Sequence, residues 1–206
     1  MDIFALATFA LIASITPGPN NLMLAASGMR FGFYKTLPHA FGIGVGMSGV
    51  FTLCGLGIGS AMLLVPGMRW VLSLGGSIYL IFLLTKFLRL DTTHPTVKTQ
   101  ASPMTLWQSV AFQFINPKAW VVGVMAVSIF LPSSEWPWYN LIKLIGIFMA
   151  VNIVSVSSWI TFGRLLQTSF AKPKQRFWIQ GGLVGLTLYT IASLWVWCVF
   201  EHLFSQ

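Results

Sequence analysis

The chain alternates between long apolar runs and short polar segments along its whole length. Six of the apolar runs could each cross a bilayer, which takes about 20 residues of helix. We place these spans at about residues 3–27, 38–65, 68–88, 107–131, 139–163 and 177–200. The polar segments predict short loops at about 28–37, 132–138 and 167–176, and a longer linker at 89–106. The pattern therefore predicts an all-α integral membrane protein with six transmembrane helices.

Prolines interrupt the first and the fourth of these spans. The first contains Thr16-Pro17-Gly18-Pro19-Asn20-Asn21, and the fourth contains Asn116-Pro117-Lys118. A proline inside a helix costs about 3 kcal/mol and leaves a carbonyl without its partner. Hydrocarbon offers no water to that carbonyl, so such a break persists only where protein or a wet cavity covers it. We therefore predict that both helices are broken beside a polar site.

The two breaks occupy matching places in the chain. Spans one to three and four to six form two halves, about 1–88 and 107–206, of a single transmembrane domain covering 1–206. With three spans in each half, the second half is inverted relative to the first. Each proline lies about 10 residues from the cytoplasmic end of its span, roughly 15 Å deep and near the middle of the membrane. Matched broken helices in inverted repeats indicate the binding site of a secondary transporter.

Composition and charge agree with a membrane protein. Of the 206 residues, 56% are hydrophobic and 8% are charged, whereas soluble domains carry about 25% charged residues. The net charge of +8 does not indicate a nucleic-acid partner, because the basic residues lie in short loops between apolar runs.

The basic residues predict the orientation of the chain. With the N-terminus outside, nine of the twelve fall on the cytoplasmic side, namely Arg30, Lys35, Lys86, Arg89, Lys98, Arg164, Lys172, Lys174 and Arg176. Arg69 and Lys143 fall outside, and Lys118 lies within a span. Because basic residues concentrate in cytoplasmic loops, we predict periplasmic termini and a cytoplasmic linker at 89–106.

The chemistry of the predicted site follows from the helix ends that the breaks expose. Half-helices that begin after Pro19 and after Pro117 carry unpaired N–H groups and a partial positive charge. Lys118 adds a full charge, so we expect the site to bind a carboxylate. Amides and a hydroxyl supply hydrogen bonds for the rest of a small zwitterion. The predicted substrate-binding residues are Thr16, Pro17, Gly18, Pro19, Asn20, Asn21, Asn116, Pro117 and Lys118.

Purely structural interpretations remain open for several residues. The prolines could form kinks without a site, and Lys118 could extend to the membrane surface if its span starts later. His39 could pack or lie at the interface. The glycines of the second span, such as Gly42 and Gly46, favour close helix packing. Two amides, Gln113 and Asn152, could join helices instead of binding a ligand.

The sequence does not favour an enzyme. Its four acidic residues lie in loops or at ends, as do two of its three histidines; these acids are Asp2, Asp91, Glu135 and Glu201. We therefore expect no catalytic constellation, no metal site and no cofactor. A small-ion transporter, a scaffold and a membrane-embedded enzyme are the alternatives, although a cation site would require carboxylates or rings of carbonyls.

Four motifs resemble those of one transporter family. They are the proline-glycine-proline segment at 16–21, Gly28-Met29-Arg30-Phe31-Gly32-Phe33, the segment from Pro38 to Gly44, and the segment from Phe114 to Trp120. In this order they resemble the LysE/RhtB amino-acid exporters, and the resemblance covers essentially the whole chain. It implies a multi-pass exporter of amino acids or related metabolites in the bacterial inner membrane.

The resemblance also implies proton antiport and a homodimer within the lipid bilayer. Many relatives carry an aspartate where this chain has Asn20. Since no acid lies within the spans, coupling would use His39, Lys118 or the substrate itself.

Overall fold

A computed structural model describes residues 1–58, 67–88, 102–131, 138–170 and 177–196, except 179, 183, 186, 193 and 194. Several sequence predictions lie outside the described residues. They concern the end of the second span at 59–66, the linker at 89–101, the outer turn at 132–137, the basic loop at 171–176 and the C-terminus at 197–206.

The described part of the chain is helical and contains no strand. Its helices are α1 (Ile3–Ile15), α2 (Pro19–Phe31), α3 (Phe33–Gly55), α4 (Met68–Leu88), α5 (Leu106–Ile115), α6 (Pro117–Phe130) and α7 (Trp138–Phe170). Further helical residues occur between 177 and 196. The all-α prediction is therefore confirmed for these residues.

Both predicted breaks are present. Helix α3 and the Trp138–Leu166 part of α7 are each long and apolar enough to cross a membrane. Among the described residues, the α1–α2 and α5–α6 pairs pass the same test only together, and they bend by 60° and 71° at the break. Helix α1 ends just before Pro17 and α6 begins at Pro117, so each bend occurs where the sequence placed a proline.

The predicted loop at 28–37 is wrong. Helix α2 continues to Phe31 and α3 begins at Phe33, with only Gly32 between them. Gly32 has a φ of 80°, a conformation that glycine adopts at little cost, so one residue suffices to turn the chain. Pro38, which was predicted to begin the second span, lies inside α3. Its missing N–H removes a single helical hydrogen bond in the second turn.

Close backbone contacts hold the broken helices against their neighbours. A Cβ added to Gly28 or to Gly163 would overlap backbone atoms of the facing helix, so α2 and α7 touch through their main chains. The same holds for Gly42 and Gly46 of α3, where a Cβ would overlap atoms of α5. The packing interpretation is therefore correct for Gly42 and Gly46. These contacts hold α2 against α7 and α5 against α3.

Replacing Gly163 by alanine tests the α2–α7 contact. An added methyl group would force these backbones apart, and overpacking of this kind costs about 1–3 kcal/mol. We expect Gly163→Ala to lower the melting temperature of the purified protein in detergent. Gly146→Ala is the matched control on α7, because nothing lies within 4 Å of a Cβ at that position. Equal melting temperatures for the two variants would contradict the contact.

Candidate functional site

The C-terminal end of α1 is capped by side chains. The break leaves the last carbonyls of α1 without helical partners. Asn21 Nδ2 donates to the Ser14 carbonyl at 2.8 Å and to the Thr16 carbonyl at 2.9 Å. From α7, Ser155 Oγ donates to the Ser14 carbonyl at 2.8 Å and Trp159 Nε1 to the Ile15 carbonyl at 3.3 Å. The carbonyls of Ser14, Ile15 and Thr16 are thus paired within the protein.

Lys118 connects the two breaks. Its Nζ donates to the Thr16 carbonyl at 2.6 Å, so a side chain from the start of α6 caps the end of α1. The lysine reaches this carbonyl past Gly18, where a Cβ would lie 3.0 Å from Lys118 Cδ and 3.2 Å from Nζ. Pro17 is half-buried and Pro117 is buried. The two breaks therefore lie beside each other in the interior.

The start of α6 is built by Asn116 and Pro117. The Asn116 side chain is buried, and its Oδ1 accepts a hydrogen bond from the Lys118 backbone N–H at 3.1 Å. Pro117 occupies the first helical position, where its missing N–H leaves no bond unmade. This capping arrangement directs the side chain of Lys118 towards α1.

A reciprocal amide pair joins α2 to α5. Asn20 Nδ2 donates to Gln113 Oε1 at 2.8 Å, and Gln113 Nε2 donates to Asn20 Oδ1 at 3.0 Å. Gln113 Nε2 also donates to the Ser109 carbonyl at 3.1 Å, and the glutamine side chain is fully buried. Of the two interpretations left open for Gln113, the structure shows the hydrogen bond between helices.

A cavity opens between the two breaks, with about 460 Å³ of empty space including the part open to solvent. Six of the nine predicted binding residues line it, namely Gly18, Pro19, Asn20, Asn21, Asn116 and Lys118. Thr16, Pro17 and Pro117 are not among the lining residues; they shape the breaks instead. The cavity wall is thus polar on the side of the breaks.

The opposite wall comes from residues that sequence reasoning missed. Ile43 and Met47 of α3, Val122 of α6 and Phe148 of α7 line the cavity. Nothing in the sequence separates such apolar residues from those that face lipid or a dry core. A usable signal did exist on α7, because Asn152, Ser155 and Trp159 share one helical face in an otherwise apolar span.

The cavity carries a positive charge without a nearby acid. In the part of the chain that the structure describes, Asp2 is the only acidic residue, and it caps the distant N-terminus of α1. Lys118 therefore has only the Thr16 carbonyl as a hydrogen-bond acceptor for its ammonium group among these residues. A lysine at the membrane centre costs about 2.5–3.5 kcal/mol on insertion scales, and such residues are commonly functional.

His39 is buried but does not line the cavity. Its side chain is 1% exposed, and neither ring nitrogen has a hydrogen-bond partner within the described structure. Its carbonyl accepts a hydrogen bond from Ser109 Oγ at 2.8 Å. His39 lies one turn of α3 from Ile43, which lines the cavity. Since its side chain is buried, His39 has a packing role rather than an interfacial one.

Comparison with protein families decides the identity of this fold. The family model described as "LysE type translocator" matches residues 11–196, which include both breaks. The chain belongs to the LysE-type translocator family. This confirms the resemblance seen in the sequence motifs, and it makes the protein a membrane transporter rather than an enzyme.

Curated relatives of this translocator are efflux proteins. The "Cysteine/O-acetylserine efflux protein" of Escherichia coli O157:H7 is 31% identical over 170 residues, which cover 79% of this chain and 83% of the relative. The proteins of the same name from Escherichia coli (strain K12) and Shigella flexneri are 31% identical over the same shares. No solved structure matches the chain.

A double-mutant cycle tests the amide pair in this translocator. Asn20→Ala and Gln113→Ala each remove one side of the pair, and we expect a coupling of about 0.5–3 kcal/mol in unfolding free energy. A control cycle combines Gln113→Ala with Asn152→Ala, since no hydrogen bond joins these side chains in the described structure. Additive effects in the Asn20–Gln113 cycle would contradict the pairing.

Proposed function

We propose that this LysE-type translocator is a secondary transporter that exports a small neutral amino acid across the bacterial inner membrane. The supporting observation is the cavity at which Lys118 and the starts of α2 and α6 converge. Similarity to cysteine/O-acetylserine efflux proteins favours a substrate with a short side chain.

The substrate carboxylate binds at Lys118 in this proposal. A lysine ammonium has three donors, and the Thr16 carbonyl occupies one of them. The helix starts at Pro19 and Pro117 add partial positive charge and unpaired N–H groups. Neutral oxygens of the nearby asparagine side chains accept hydrogen bonds from the substrate ammonium group.

Binding can release Lys118 from the break without leaving a carbonyl unpaired. Thr16 O accepts hydrogen bonds from both Lys118 Nζ and Asn21 Nδ2. When Lys118 turns to a substrate carboxylate, Asn21 still satisfies the carbonyl. A substrate can therefore loosen the link between α1 and α6 at little cost, which provides a route from binding to relative movement of the broken helices.

The proposed architecture is a single transmembrane domain, 1–206, of six spans in two inverted three-helix repeats. Its halves are about 1–88 and 107–206, with both breaks near the membrane centre and both termini periplasmic. Two features support it: each broken pair restarts with a proline at the first helical position, and nine of the twelve basic residues fall in segments that this arrangement makes cytoplasmic. Rocking of one half against the other would alternate access to the cavity.

Energy coupling and assembly complete the proposal. Proton antiport is proposed with His39 and Lys118 as the groups that exchange protons, since both are ionisable residues at or beside the cavity. The homodimer implied by the family resemblance stays a prediction. A small-cation substrate is not proposed, because the charge of Lys118 opposes a cation in this cavity.

Export by variants in proteoliposomes tests the role of Lys118. We expect Lys118→Met to weaken transport of O-acetylserine or cysteine by about tenfold to a hundredfold, because a hydrogen bond to a charged group contributes about 1.5–3 kcal/mol. Lys35→Met makes the same chemical change at an exposed residue and should leave transport unchanged. Normal transport by a correctly inserted Lys118→Met protein would remove the site assignment.

A further inference from the structure

A second cavity lies directly behind the first. It has about 260 Å³ of empty space, including the part open to solvent, and lies mainly between α3 and α7. Ser14, Met47, Phe148 and Asn152 line both cavities, so the two are adjacent. We call the second cavity the recess; its defining residues are Gly44, Met47, Phe51, Phe148, Met149 and Asn152.

The wall of the recess is apolar and polarisable. Met47 and Met149 contribute thioether sulfurs, and Phe51 packs edge-on against Phe148 with ring centroids 4.6 Å apart. Methionine adapts to irregular ligands and makes favourable sulfur–aromatic contacts. A side chain that carries sulfur or a small ester would find matching contacts here, whereas a charged one would not.

Two other polar groups of the recess, the Ser48 hydroxyl and the Ser14 carbonyl, already have partners. Ser48 Oγ donates to the Gly44 carbonyl at 3.0 Å. The Ser14 carbonyl accepts hydrogen bonds from Asn21 and Ser155. These groups therefore have little capacity left for a ligand.

The side-chain amide of Asn152 differs from these two groups. Its side chain is half-buried at the boundary of the two cavities and makes no hydrogen bond within the described structure. An amide has two donors and one acceptor oxygen, and those of Asn152 are not used by any described residue. A ligand group that reaches this boundary would be oriented by the amide.

We propose that the recess is the subsite for the substrate side chain, which rests on the proposed binding of the carboxylate at Lys118. It takes an unbranched, uncharged side chain that carries a thiol, thioether or O-acyl group. Asn152 hydrogen-bonds to the heteroatom of that side chain at the entrance. A cationic side chain is rejected because no described residue of the recess has a carboxylate to pair with it.

Gly44 and Met149 set the depth of the recess. A Cβ at Gly44 would lie 2.8 Å from Met149 Cε and 2.9 Å from its sulfur. Since this is the end of a flexible side chain, an added methyl group would push it aside rather than disrupt the helices. Gly44→Ala therefore narrows the recess, and Met149→Ala deepens it.

The relative transport rates of three amino acids test the subsite. Proteoliposomes that contain the wild type, Gly44→Ala, Met149→Ala or Asn152→Leu are assayed with alanine, O-acetylserine and methionine. We expect Gly44→Ala to lower the rate of methionine transport relative to alanine by about tenfold. A pocket that is too small by about one methylene group discriminates between substrates to this extent. Met149→Ala should raise methionine relative to alanine, and Asn152→Leu should lower O-acetylserine relative to alanine. Gly146→Ala on α7 is the control and should keep wild-type ratios.

The outcomes separate the subsite from the transport function. If the wild type exports these amino acids but the variants change all three rates equally, the subsite is wrong and the transport proposal stands. If the wild type neither exports any of the three nor gains thermal stability with them in detergent, both proposals fail. A gain of methionine transport in Met149→Ala supports the subsite even if the other variants fold poorly, because misfolding cannot raise one rate.

Discussion

A broken helix in hydrocarbon must have its freed carbonyls paired within the protein, and the rest of this structure depends on that constraint. The last carbonyls of α1 receive hydrogen bonds from Asn21 of α2, from Lys118 of α6 and from Ser155 and Trp159 of α7. Because these donors come from three helices, the break cannot form alone. The position of α1 is thereby tied to α2, α6 and α7, and the cavity lies where they meet.

Burial of the Lys118 ammonium group has a free-energy cost that a bound ligand can offset. Lys118 carries a full charge into the membrane domain, and the described residues around it provide a carbonyl but no carboxylate. A paired buried charge is much better tolerated than an isolated one. In the proposed function, an anionic group completes this cavity electrostatically, and the carboxylate of a zwitterionic amino acid would supply it.

Sequence patterns predicted the breaks, the apolar helices and Lys118, because proline in a helix and a charge in hydrocarbon are both costly. They did not predict the Asn20–Gln113 pair, since which amides meet depends on helix packing. Met47 and Phe148 were missed because a cavity wall and a dry core use the same residues. The loop at 28–37 was wrong because Gly32 alone turns the chain, whereas Arg30, Lys35 and Pro38 had suggested a longer loop.

The most direct test of the meeting of the two broken helices is chemical cross-linking of an Asn20→Cys/Gln113→Cys protein in a Cys54→Ala/Cys198→Ala background. Asn20 follows the first break and Gln113 precedes the second, and their side chains hydrogen-bond in the structure. A short bifunctional thiol reagent, followed by digestion and mass spectrometry, should yield an intramolecular cross-linked peptide in high yield. The control pair, Asn20→Cys with Trp107→Cys, places the second thiol at an exposed position of α5 and should react far less. Equal yields for both pairs, or no cross-link between positions 20 and 113, would contradict the account.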